Sequence, residues 1–268
     1  MSLADSAFAM LVRLVSGVQV SVDDAYGGVE SGRASVLRLP PQAIFFANHS
    51  SHLDFATIWA VLPGRLRRRV RPVAAADYWG SGARGRFASR MFRPVLVARR
   101  GKDPGSLAAR AVAETGASAS AAAGPEPRRG TRGQLAALGA ALDAGDSLVI
   151  FPEGTRGDGS ELGRFHAGLA KTARAYPEVP VVPVALSNLG RILPKGGLVP
   201  VPLLGRASFL APIAPAAEEE DAAFLERARA TLLLALPSPE AEREAELAES
   251  PAGPRSADGA AAAPRGER

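Results

Sequence analysis

Five short apolar runs, at residues 43–47, 70–74, 94–97, 147–151 and 181–186, set the frame for this chain. Each is too short for a helix of ordinary length and is rich in Val, Ile, Leu or Phe, as buried strands are. Between them lie segments with apolar residues at helical spacing. Phe55, Ile58, Trp59 and Leu62 share one face, and Pro63-Gly64 stops that helix. Residues 135–142 form a second helix that closes near Gly145, and 167–175 form a third that ends before Pro177. Phe224, Leu225, Ala228, Leu232 and Leu236 make the stripe of a last helix over 218–236. Strands alternating with helices predict an α/β fold whose sheet is covered on both faces.

Three segments fall outside that alternation. Residues 7–20, AFAMLVRLVSGVQV, are shorter than the ~20 apolar residues a spanning helix needs, and Arg13 interrupts them. No basic stretch precedes them, as a signal peptide would require. At helical spacing Phe8, Leu11, Val12, Val15 and Val18 form one face, with Ser6, Arg13, Ser16 and Gln19 mainly away from it. Such an amphipathic helix either lies on a membrane surface or packs on the core. Residues 103–132 have no large apolar side chain after Val112 and read as a flexible insertion. Residues 237–268, ending in PAGPRSADGAAAAPRGER, read as a disordered tail. The expected organisation is a helix over 1–22, one folded domain over 23–236 and that tail.

The chain has no cysteine, which removes disulfides, thiolate nucleophiles and Cys-based zinc sites. Residues 1–110 hold 16 Lys/Arg against 7 Asp/Glu, so the front half suits an anionic partner such as a phosphorylated substrate, a lipid surface or nucleic acid. Against nucleic acid, the arginines are not interleaved with aromatics, and no recognised binding motif is present.

The chemistry concentrates in FFANHSSHLDF, residues 45–55, with two of the three histidines. Metal binding by His49, His52 and Asp54 is disfavoured, since only His166 remains as a further histidine and a five-residue step places His49 and Asp54 on different faces of one helix. Ser51-His52-Leu53-Asp54 fits a capping box ahead of an apolar helix. That accounts for Ser51 and Asp54 but not for Asn48 or His49. If His49 lies in the turn after strand 43–47 and Asp54 in the first turn of the next helix, the two side chains can meet. The carboxylate then fixes the imidazole tautomer and leaves the other ring nitrogen as a base. The helix start offers backbone N–H groups toward an anion or a developing oxyanion. With no protein nucleophile in view, the base activates a hydroxyl of the substrate.

Asn48-His49-Ser50-Ser51-His52-Leu53-Asp54 resembles the NHxSxxD form of the His-x4-Asp motif of the glycerolipid acyltransferases, in particular the bacterial 1-acylglycerol-3-phosphate acyltransferases. Phe151-Pro152-Glu153-Gly154-Thr155-Arg156 resembles that family's FPEGTR block. Residues 92–99, FRPVLVAR, stand where the family has an apolar strand ending in Arg, and 179–186 resemble its Pro-containing strand. The resemblance covers roughly residues 5–215. It implies a central mixed, largely parallel sheet covered by helices. It implies His49 as base, oriented by Asp54, and a phosphate and glycerol site built from Arg99, Glu153, Gly154, Thr155 and Arg156. Glu153 either orders its turn or contacts the glycerol. Lys102 either assists Arg99 or is a surface lysine beside a loop, His52 lines the site or is structural, and His166 is packed or exposed rather than a second base.

The implied reaction moves an acyl group from an acyl-CoA or acyl carrier protein thioester, as co-substrate, to a lysophospholipid, with no metal and no further cofactor. Other acceptors stay open, glycerol 3-phosphate or an acylated amino-acid lipid among them. The expected location is peripheral, at the cytoplasmic face of the cell membrane. Residues 7–20 attach there, helped by Arg65, Arg67, Arg68, Arg69 and Arg71 near an anionic surface.

Overall fold

In the computed structural model, residues 3–26, 38–75, 89–97, 130–157, 161–192 and 204–237 are described. In chain order the elements are α1 (Leu3–Ser16), β1 (Gln19–Val22), a 3-10 turn (Asp24–Tyr26), β2 (Ile44–Ala47), α2 (Leu53–Val61), α3 (Gly64–Arg67), β3 (Val70–Ala75), β4 (Val95–Val97), α4 (Gly130–Asp143), β5 (Ser147–Ile150), α5 (Gly168–Ala175), β6 (Val181–Ser187), α6 (Leu189–Ile192), β7 (Arg206–Phe209) and α7 (Asp221–Ala235).

The strands form one sheet in the order β1-β7-β6-β2-β5-β3-β4. Every neighbouring pair is parallel except β6 with β7. The expected mixed, largely parallel sheet is therefore present. β2 lies between β6 and β5, with Phe46 opposite Pro183 on one side and Ile150 on the other. All four of its residues are buried. Alternation along the strands splits the core in two. Phe45, Ala47, Val149, Val182, Val184 and Leu186 face α1 and α2. Ile44, Phe46, Leu148, Ile150, Val181 and Ala185 face α4, α5 and α7.

Two strands were not expected. Residues 7–20 are not one helix: α1 ends at Ser16, and Gly17 adopts φ 51°, a conformation that favours glycine. The chain then enters β1, where Val20 and Val22 are buried two residues apart. The other is β7, which runs antiparallel to β6 and carries β1 beside it. Pro183, a residue that usually keeps to edges or bulges, lies in an interior strand. It precedes Val184, the first β6 residue in the β6–β7 ladder, so its missing N–H interrupts none of those pairs.

α1 also rotates relative to the expected face. Ala9, Val12 and Ser16 are buried, and the Ser16 hydroxyl donates to the Val12 carbonyl at 2.8 Å. Phe8 packs on Trp59 and Phe92 at 5.9 and 6.1 Å. Leu11 points outward, with Leu3, Met10 and Leu14. Helix α4 begins at Gly130, so its first turn takes up the last positions of the expected insertion. The rest of that insertion and the tail beyond Pro237 lie outside the described residues, as does Lys102.

Candidate active site

Neighbouring parallel strands deliver their following loops to one edge of the sheet, and here that edge gathers the ends of β6, β2 and β5. Asn48 continues past β2 and is buried. Its amide donates to the Leu186 carbonyl at 2.7 Å and accepts from the Leu186 N–H at 2.8 Å. This side chain clasps β6 and fixes where the next residue begins, which explains an asparagine that capping alone left unexplained.

The next residue is His49. Its N–H donates to Glu153 Oε1 at 2.8 Å, and its carbonyl accepts the Gly157 N–H at 2.9 Å. The imidazole stacks on Phe151 with ring centres 4.2 Å apart. Nδ1 lies 2.8 Å from Asp54 Oδ2, and the His49 side chain is 22% exposed while Asp54 is fully buried. A carboxylate only accepts, so Nδ1 carries the proton and Nε2 the lone pair.

Asp54 Oδ2 also accepts the N–H groups of Ser50 and Ser51, each at 2.8 Å. The bond to Ser51 N–H is the reciprocal arm of a capping box, and Ser51 Oγ accepts the Leu53 N–H at 3.2 Å. Capping and histidine-orienting are thus one carboxylate's work rather than rival readings. One expectation is corrected. The N–H groups of Ser50, Ser51, Leu53 and Asp54 all have acceptors within this turn, so they are not donors to an oxyanion.

Glu153 is buried and uses both oxygens on backbone, His49 N–H and Gly163 N–H, the latter at 2.9 Å. Of the two roles open to it, the geometry displays the ordering of the turn; its acceptor oxygens point to the protein rather than to a glycerol. Gly154 sits at φ 69°, where a Cβ would meet His166 Cδ2 at 2.9 Å. Thr155 is exposed. Arg156 reaches the other loop and contacts His52 Nε2 through its guanidinium. His52 is held below its ordinary 6.5 by partial burial, then by the charges of Arg156 and His49, with Asp54 opposing. The structure therefore brings His49, Asp54, Glu153, Gly154 and Arg156 into one constellation and adds His52 to it. His166 donates its N–H to the Pro152 carbonyl and supports the turn from behind. Arg99 lies outside the described residues.

The acyltransferase family model matches residues 33–187, more than half of the chain. Two curated relatives are 1-acyl-sn-glycerol-3-phosphate acyltransferases of chloroplasts. BAT2 of Brassica napus is 48% identical over 52 residues, which is 19% of this chain and 15% of that protein. LPAT1 of Arabidopsis thaliana is 46% identical over 55 residues, 20% of this chain and 15% of that protein. The matched stretch thus spans about 15% of the length of these relatives. Among solved structures, the 1-acyl-sn-glycerophosphate acyltransferase PlsC of Thermotoga maritima superposes with a TM-score of 0.52. At 16% identity it covers 92% of this chain and 79% of its own, and it shares the fold. The family match runs through His49, Asp54 and the whole Phe151–Arg156 turn, and on that ground the chain belongs to the acyltransferase family.

Proposed function

We propose that this chain transfers a fatty acyl group from an acyl thioester to the free hydroxyl of 1-acylglycerol 3-phosphate, giving phosphatidic acid. The observation that carries the reading is the oriented base. His49 Nδ1 is held by a buried carboxylate, and the His49 main chain is tied to the turn that bears Arg156. Nε2 takes the hydroxyl proton as the oxygen attacks the thioester carbonyl. Asp54 offsets the positive charge that His49 gains. As the carbon–sulfur bond breaks, the departing thiolate takes the proton back from His49. Arg156, with Arg99, grips the phosphate and holds the hydroxyl in reach of both the base and the thioester. A hydroxyl attacking a thioester needs a base and positioning, so the acyl thioester of coenzyme A or acyl carrier protein is the co-substrate and no other cofactor takes part.

The named activity of the two plant relatives supports this acceptor, and the phosphate accounts for an arginine at the end of β5. Acceptor and product are lipids, so the protein works as a peripheral protein at the cytoplasmic face of the membrane. The outward leucines and methionine of α1 supply apolar contact there. The test is purified protein with a labelled acyl thioester and a panel of lyso-lipids together with glycerol 3-phosphate. The expected result is labelled phosphatidic acid from 1-acylglycerol 3-phosphate, with His49→Ala lowering the rate by about 10²–10⁴-fold while thermal unfolding is retained. A His49→Ala protein with near-normal acyl transfer removes the mechanism.

A further inference from the structure

His52 makes a contact that the fold does not require. It stands exposed at the start of α2, outside the core, and the helix is capped without it. Its Nε2 nevertheless meets the guanidinium of Arg156, 104 residues away in sequence. A guanidinium is always charged and only donates. The nitrogen facing it must therefore be the accepting one, which makes His52 neutral with its proton on Nδ1. This is the reverse of His49, whose partner is an anion.

We propose that His52 is a positioning residue for Arg156: its neutral imidazole takes one guanidinium N–H and directs the rest of the fork toward the anionic group of the acyl acceptor. This rests on the reading of Arg156 as the arm that holds the phosphate. Arginine side chains are long and flexible, and two-point recognition of a phosphate needs the plane of the fork set in advance. One accepted hydrogen bond from a side chain at a helix start supplies that constraint and uses only one of the five guanidinium N–H groups.

Protonation of His52 breaks the arrangement, because two cations then face each other. The charged groups around the ring are Arg156 from the loop after β5, His49 from the loop after β2 and Asp54 from the first turn of α2. Partial burial and the two basic neighbours outweigh Asp54 and keep the ring neutral to lower pH than an ordinary histidine. Below that point the released Arg156 loses its set direction. An exposed imidazolium gains an ion pair with a bound phosphate in return, but exposed pairs contribute little beside a two-point fork. The KM for the phosphorylated acceptor therefore rises on the acid side.

The experiment measures initial rates with 1-acylglycerol 3-phosphate varied at saturating acyl-CoA, from about pH 5 to 8, the range in which histidines titrate. His52→Leu is expected to raise KM by about 10-fold at neutral pH, with kcat within about twofold. His52→Gln, whose amide oxygen accepts a guanidinium N–H without titrating, is expected to restore KM and to abolish its acid-side rise. An unchanged KM in His52→Leu, or a Gln variant no better than the Leu variant, overturns the proposal. The second measurement needs no turnover. The imidazole signals of the three histidines are followed by NMR, and Arg156→Gln is expected to move the His52 midpoint upward toward 6.5. A midpoint that stays put overturns the pairing. If the midpoint moves but the unsubstituted protein acylates no lysophosphatidate, the pairing stands and the choice of acceptor fails. Unshifted signals of His166 report that each variant is folded.

Discussion

Asp54 shows how much one residue can decide. A single oxygen receives a ring N–H and two backbone N–H groups, and the other oxygen has no hydrogen-bond partner among the described residues. Charge on the acceptor makes such bonds stronger than neutral ones. Asp54→Asn keeps the shape but not the charge. It should lower kcat about 10⁴-fold, because the imidazole loses its enforced tautomer. Bonds to a charged acceptor are worth about 1.5–3 kcal/mol each against about 1 for neutral ones, so stability should fall by about 1 kcal/mol or more, read from denaturant unfolding. His49→Ala separates the two effects, since both backbone bonds to Asp54 survive it. The pairing was legible in the sequence because it is local: a strand end, a turn and a helix start place residues 49 and 54 together whatever the rest of the chain does. His52 with Arg156 was not legible. That contact needs β2 and β5 to be neighbours, a fact of topology that no spacing in either motif carries. Gly154 behaves similarly. The sequence marks a tight turn, but only the packed structure shows His166 against its α-carbon.

Among the elements, the loops that follow β2 and β5 are joined by one buried side chain. Glu153 accepts from His49 on one loop and from Gly163 on the approach to α5. Glu153→Gln has one oxygen and one NH₂ for two N–H donors, so one hydrogen bond becomes a donor facing a donor. The base is displaced at its main chain, and a shift of about 1 Å at a reacting group can cost 10²-fold. Glu153→Gln should therefore lose about 10² in kcat while KM for the lyso-lipid changes little, a split that steady-state kinetics reads directly. Strands β1 and β7 escaped the sequence because both are four-residue strands that alternate buried and exposed positions, unlike the continuous apolar runs of β2 and β5. Tyr26, just after β1, helps to close that end, with its hydroxyl donating to the Leu210 carbonyl at 3.2 Å. Burial, and then the charge of Asp23, pushes it up to about 12 from 10.0. Between those two values the unfolded chain has released its proton and the native chain still holds it, so stability falls as pH rises through that window. In Tyr26→Phe the denaturation midpoint should vary less across the same window.

At the scale of the whole molecule, the proposed membrane attachment needs an apolar surface, and α1 offers one. Its inner side packs on the core through Ala9 and Val12, and its outer side still presents Leu3, Met10, Leu11 and Leu14. Leu3, Met10 and Leu14, at steps of seven and four, fall on one stripe. The helix thus packs on the core, as one of the two readings of its sequence expected, and also shows apolar side chains outward. The arginine cluster divides differently from what its sequence suggests. Arg67 is buried, donates to the Ala60 and Leu62 carbonyls, and lies 5.0 Å from the centre of the Trp59 ring. Arg71 donates to the Arg93 carbonyl and pairs with Asp146, and Arg69 donates to the Ala144 carbonyl. Arg67 and Arg71 hold the start of β3 in place, so their charges are committed to the fold, while Arg65, Arg68 and Arg69 are exposed. With about 1 kcal/mol per charge near an anionic surface, Arg65 and Arg68 would add a modest salt-sensitive part to the proposed membrane contact, and the apolar stripe would carry most of the rest. Sedimentation with phosphatidylserine-containing vesicles reads both parts. Arg65→Ala with Arg68→Ala should weaken binding about 10-fold or more at low salt and much less at high salt. Met10→Asp with Leu14→Asp should abolish binding at both salt concentrations without lowering the unfolding temperature, because both side chains stand in solvent. Arg67→Ala should instead unfold the protein early, since it leaves two carbonyls under α2 without their donor. Vesicle binding that survives Met10→Asp with Leu14→Asp would place the lipid contact elsewhere on the molecule.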